Sequence, residues 1–261
     1  MNSWQLHYLR AMDIDVWQRR EVVQQLTVSS ADAVAAEQKV VLPVALGNPI
    51  EPVSRDTVSD SVETHQVAPV TLESWSDVET AVRNCTRCAL HSSRTQTVFG
   101  VGNREAEWMI IGEAPGADED RQGEPFVGRA GQLLNAMLLA IGLRREQVFI
   151  ANILKCRPPD NRDPKPNEVS CCMPYLQRQI DLINPRIILC VGRIAAQNLL
   201  STDTPIGKLR GTVHRFGAQQ RPVVVTYHPA YLLRSPGEKR KAWIDLQFAL
   251  QTFTSLQSFV S

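Results

Sequence analysis

The stretch Trp108–Gly128, "WMIIGEAPGADEDRQGEPFVG", decides how the chain is read. Its opening is an uninterrupted apolar run, which suits a strand buried on both faces. A loop with four glycines and five carboxylates (Glu113, Asp118, Glu119, Asp120, Glu124) follows, against a single cation, Arg121. A Gly-rich loop after a strand usually cradles phosphate, but this one carries the wrong charge for that work. It has to be understood through what surrounds it.

C-terminal to the loop, apolar runs suited to buried strands recur. With the first they are 107–112, 147–154, 186–191 and 222–227, and helical patterns lie at 130–142, 167–183, 193–200 and 238–253. This regular β-α alternation predicts an α/β fold of three layers, α/β/α, around a central, mostly parallel four-stranded sheet. In such folds ligands sit beyond the carboxyl ends of the strands. The chemically distinctive segments fall at those ends. The acidic loop follows the first strand, "NILKCRPP" closes the second and "HPAYLLR" follows the fourth.

N-terminal to the loop the character changes. Trp4, Tyr8, Met12 and Val16 stand four apart and predict a short amphipathic helix, here taken as a helical extension over 1–27. Residues 28–72 lose periodicity and read as a flexible linker. "SDVE" at 76–79 resembles a capping box opening a helix toward Cys85, within a domain of residues 73–255.

Residues 1–70 hold 5 Lys+Arg against 9 Asp+Glu, and the remainder 23 against 18. A mildly basic body is compatible with a nucleic-acid partner. No apolar run approaches the ~18 residues of a membrane span, so no membrane partner is expected. Asp13 and Asp15 interrupt the place where a signal peptide keeps its apolar stretch. A cytoplasmic location is expected, where six cysteines are thiols or metal ligands rather than disulfides.

Cys85 and Cys88 form a C-x2-C pair in a polar segment, and Cys156 and Cys172 follow. Four thiolates from three segments suit a tetrahedral zinc or an iron–sulfur cluster, and spacing leaves both open. Cys171 and Cys172 point about 100° apart on a helix, so one of them is expected to be a ligand. Cys190, inside an apolar strand, reads as a small core residue.

"CTRC", "GEAPGADED", "GEPFVGRAGQLL", "NILKCRPPDNRDPKPNEVSCC" and "HPAYLLR", in that order, give the chain its resemblance. It resembles the family 4, iron–sulfur uracil-DNA glycosylases, over roughly residues 80–250. The resemblance implies a [4Fe–4S] cluster on Cys85, Cys88, Cys156 and Cys172, with Cys171 as the substitute for the last. It also implies uracil-containing DNA as the substrate and a role for each of several residues.

His228 would contact uracil O2 and stabilise the departing base anion. Glu113 would orient or activate the attacking water, beside Gly112 and Ala114 in the same wall. Asn152 would accept from uracil N3–H and donate to O4, a pattern that cytosine inverts. Phe126 would stack on the flipped base, and Glu119 would obstruct a thymine methyl. Leu232, Leu233 and Arg234 would wedge into the duplex and hold a phosphate. Arg129 and Lys155 are read either as phosphate contacts or as solvated surface charge.

No Lys stands as an obvious Schiff-base nucleophile, so a monofunctional enzyme leaving an abasic site is expected. "GEPFVGRAGQLLNAML" lacks the basic, His-containing insertion of a related DNA-crosslinking branch. Two other readings stay open. One is excision of another deaminated base, such as hypoxanthine or xanthine. The other is a non-catalytic iron–sulfur DNA-binding module, recruited to a polymerase through residues 1–20. A monomer is expected.

Overall fold

The protein is seen in a computed structural model that describes Arg10 and residues 72–257. The expected extension (1–27) and linker (28–72) fall outside the described residues, except at Arg10 and Leu72.

The sheet has six strands: β1 (Val101–Gly102), β2 (Trp108–Gly112), β3 (Phe149–Asn152), β4 (Ile187–Val191), β5 (His214–Phe216) and β6 (Arg221–Thr226). Their order is β1-β3-β2-β4-β6-β5. The central four are parallel, with β2 flanked by β3 and β4, and β4 by β6. β1 and β5 pair antiparallel at the two edges. The four expected strands thus form the parallel centre, and the two antiparallel edges extend it, among the described residues, to a mixed sheet of six. The two edge strands span two and three residues, "VG" and "HRF", and only the pairing itself defines them.

Strand alternation sends side chains to two cores. Trp108, Ile110, Ile187, Leu189, Val191 and Val224 face one side. They pack there with α3 (Arg129–Ala140), α7 (Pro229–Arg234) and α8 (Lys239–Gln257). Met109, Ile111, Phe149, Ala151, Ile188, Cys190, Val223 and Val225 face the other side, with α4 (Pro166–Ile183) and α5 (Arg193–Leu200). Helices on both faces make the three layers, and they explain why the central strands are continuously apolar. Cys190 is fully buried among them, as expected of a core residue. No described helix is long and apolar enough to cross a membrane.

The first described helix, α1 (Trp75–Arg83), forms where expected, but its cap lies two residues earlier. Ser74 is the N-cap: its Oγ accepts from Asp77 N–H, and the Asp77 carboxylate accepts from Ser74 N–H at 2.9 Å. The working box is therefore Ser74–Asp77, with Ser76 and Glu79 outside it. Short helices α2 (Ala117–Gln122) and α6 (Ile206–Leu209) complete the described elements apart from 3₁₀ turns.

Candidate active site

The carboxyl ends of β2, β3 and β6 open into a cavity of about 410 Å3. Glu113, Ala114, Glu119, Phe126, Asn152, Asp163, His228, Tyr231 and Arg234 are in its wall. Segments distant in sequence meet here because β2 lies beside β3 and one strand away from β6.

Gly112 closes β2 opposite Asn152, its register partner on β3. A Cβ at Gly112 would overlap Asn152 Oδ1 and stand 2.7 Å from Phe126 Cζ. Glycine is required there by close approach. Asn152 is buried, and its Oδ1 has no hydrogen-bond partner within the protein. A buried acceptor left open costs free energy unless a ligand supplies the donor.

Glu113 leaves β2 into the cavity wall. Burial, reinforced by Asp163 and opposed by Arg193, raises its carboxyl to about 7. Asp163 is itself paired with Arg193 at 3.0 Å.

His228 is the N-cap of α7, where Nδ1 accepts from Ala230 N–H at 3.1 Å. Burial and the nearby Arg234 push the imidazole down to about 4, so the ring is neutral near pH 7. With Nδ1 accepting, the remaining proton is on Nε2, which is free to donate. The Phe126 ring lies against it, centroids 5.5 Å apart and planes inclined by 30°. Phe126 has a positive φ of 56°, rare for a residue with a large side chain.

Glu119 lines the cavity, yet its oxygens are engaged. Oε2 accepts from Gly116 N–H at 3.1 Å, and Oε1 from Val127 N–H at 3.0 Å and Gly128 N–H at 3.4 Å.

Two expectations are corrected. Leu232 is 1% exposed and packs in the core under α7, so it is not available as a wedge. Leu233 is partly buried against the same core, Arg234 reaches the cavity, and the exposed aromatic on this helix is Tyr231. Lys155 is neither a surface charge nor a phosphate contact. It is 1% exposed, and its Nζ donates to the Asn152 carbonyl at 2.9 Å and to Gln179 Oε1 at 2.7 Å. Sequence reasoning also passed over Asp163 and Tyr231, which lie inside quoted motifs but were assigned no role there, and Arg193, which lies outside the motifs; the fold brings all three to the cavity region.

Away from the cavity, Cys156 and Cys172 are buried, with Cys88 packed against their core cluster. Cys88 feels the charges of Cys156, Cys171 and Cys85, and Cys172 those of Cys156 and Cys88. Arg94 ties two of the segments, donating to Cys85 O at 2.8 Å and to Cys156 Sγ at 3.1 Å. Cys171 instead donates to Arg87 O at 3.2 Å. Among the described residues, no three His, Cys, Asp or Glu side chains are grouped as a site for a metal ion.

The α/β/α sandwich thus gathers a carboxylate, a buried amide and a neutral imidazole at its strand ends, groups suited to a hydrolytic enzyme. The profile of the Uracil DNA glycosylase superfamily matches residues 99–247. The type-4 uracil-DNA glycosylase of Archaeoglobus fulgidus is 50% identical over 172 residues, 63% of this chain and 86% of that protein. Those of Sulfurisphaera tokodaii and Thermotoga maritima are 43% and 40% identical, over 80% and 93% of their lengths. The chain belongs to the uracil DNA glycosylase superfamily, among its type-4 uracil-DNA glycosylases.

Proposed function

We propose that this chain excises uracil from DNA by hydrolysing its N-glycosidic bond, releasing free uracil and leaving an abasic site. The observation that carries the reading is the buried, unpartnered Oδ1 of Asn152 in the cavity wall. Uracil N3–H would satisfy it while the Asn152 amide donates to O4. Cytosine offers an acceptor and a donor at those positions and leaves both contacts unmade.

As the C1′–N1 bond breaks, its electron pair passes to the base, and negative charge accumulates on O2. His228 donates from Nε2–H to that oxygen without first needing a proton from solvent. Water adds to C1′, and the Glu113 carboxylate accepts its proton; a carboxyl near 7 is matched to that task. Phe126 covers the base. The Glu119 carboxylate, held by three backbone N–H groups, cannot swing aside for a thymine methyl.

A [4Fe–4S] cluster on Cys85, Cys88, Cys156 and Cys172 is part of the same proposal. The donors are all thiols, Cys156 and Cys88 each lie within electrostatic reach of both Cys85 and Cys172, and Arg94 offers a cation to an anionic centre. Four Cys thiolates are the usual ligand set of such a cluster. Bound there, it would tie the end of α1 to the loop after β3 and to α4.

Oligonucleotides with one uracil, single- and double-stranded, followed by alkaline cleavage, test the reading. Strand breakage at uracil is expected. Breakage only at a deaminated purine would overturn the base assignment. No breakage at any deaminated base would favour the non-catalytic module, which leaves the meeting of Glu113, Asn152 and His228 unexplained.

A further inference from the structure

Phe126 holds a left-handed φ of 56° while its ring reaches between Gly112 and His228. A non-glycine residue stays in such a conformation only when its surroundings over-determine it. The surroundings here are two ionic side chains from different parts of the chain. On the N–H side, Glu119 accepts from Val127 and Gly128. On the carbonyl side, Arg145 donates from Nη2 to Pro125 O at 2.5 Å and from Nη1 to Phe126 O at 3.3 Å.

Arg145 stands in a 3₁₀ turn (Arg145–Gln147) just before β3, nineteen residues from Phe126 and outside every motif of the family resemblance. It is half-buried, and Asn135 Oδ1 on α3 braces the same Nη1 at 3.3 Å. The planar guanidinium presents two donors in a fixed fork, which an ammonium does not. Gly131, at the start of α3, completes the arrangement: a side chain there would collide with the Phe126 carbonyl.

We infer that Arg145 is a positioning residue for base recognition, fixing the peptide planes around Phe126 so that its ring is set against the flipped base before the base arrives. This rests on the uracil-excision reading above. Preorganisation of this kind saves, at the moment of binding, the cost of ordering the loop.

The test uses the full chain with Arg145→Ala and Arg145→Lys, after thermal melts establish that each is folded. Two affinities are measured: inhibition by free uracil, and binding to an oligonucleotide containing an abasic site. Inhibition by uracil is expected to weaken about tenfold in both variants, a loss of the size one strained backbone site represents. Affinity for abasic DNA should stay within about twofold, since the loop's contact is with the base. Methylguanidine should restore part of the uracil affinity of Arg145→Ala and none of that of Arg145→Lys. Unchanged uracil inhibition in a folded variant would overturn the inference. So would parallel loss of abasic-DNA affinity, which would make Arg145 a phosphate contact. If the alanine variant does not fold, Arg145→Lys, which keeps the charge and the stem, decides alone. Failure of the wild-type chain to release uracil overturns the excision reading and this inference with it. An active wild type with unchanged inhibition in the variants overturns this inference only.

Discussion

At the scale of single residues, the site depends on two groups shifted in opposite directions by the same burial. Glu113 is raised to about 7 and His228 lowered to about 4, so the pair approaches neutrality together. Each shift has a measurable consequence. If, as proposed, the Glu113 carboxylate takes the proton of the attacking water, wild-type kcat/KM should climb with pH and level off above about 7, as followed by uracil release. Glu113→Gln should show no such limb and be slower by about a hundredfold or more. His228 stays neutral over this range and contributes no second limb between pH 5 and pH 8. Stability runs against activity. Below the unfolded value of 4.5 Glu113 is protonated in both states, and its full contribution is present. Above that the unfolded chain ionises first, and the contribution is lost as pH rises toward about 7. The Tm of Glu113→Gln relative to wild type should therefore grow from pH 5 to pH 8 in a thermal scan.

At the scale of elements, local chemistry set most helices and strands, but pairing and register settled their ends. α1 shows how little separates two readings of one segment. Ser76 and Glu79 have the spacing of a capping box, but Ser74, two residues earlier, takes the cap with Asp77. Ser74→Ala should cost about 1 kcal/mol in denaturant unfolding, and Ser76→Ala much less. On α4, neighbouring cysteines take different surroundings. Cys172 faces Cys156 and the core, while Cys171 looks outward to the Arg87 carbonyl. Visible absorption of the purified protein should persist in Cys171→Ser and be lost or sharply reduced in Cys172→Ser. The reverse result would move the fourth ligand to Cys171. The edge strands β1 and β5 were invisible beforehand because strands of two and three residues carry no periodicity.

At the scale of the whole molecule, the superfamily match covers residues 99–247, inside the C-terminal two thirds of the chain. The described part of the chain, apart from Arg10, begins at Leu72 and contains the whole of that match. A chain beginning at residue 72 should release uracil from single-stranded DNA at a rate within about twofold of the full chain, measured at saturating enzyme. What the amino-acid sequence determined by itself was the alternation of apolar runs and amphipathic segments, the order of the motifs and the chemical types at the strand ends. Those follow from local periodicity, which needs no partner to be read. What only the tertiary structure decided was which polar groups lose water and which side chains are already engaged. Lys155 and Leu232 look available in a motif and are buried in the fold; Asp163, Arg193 and Arg145 look unremarkable and meet the site or its walls. The acidic loop shows both sides of this. Its glycines and carboxylates are plain in the chain, yet Glu113 owes its raised pKa, and Glu119 its fixed carboxylate, to neighbours brought up by the sheet. Burial and hydrogen bonding are pairwise properties of distant segments, and no local pattern contains them.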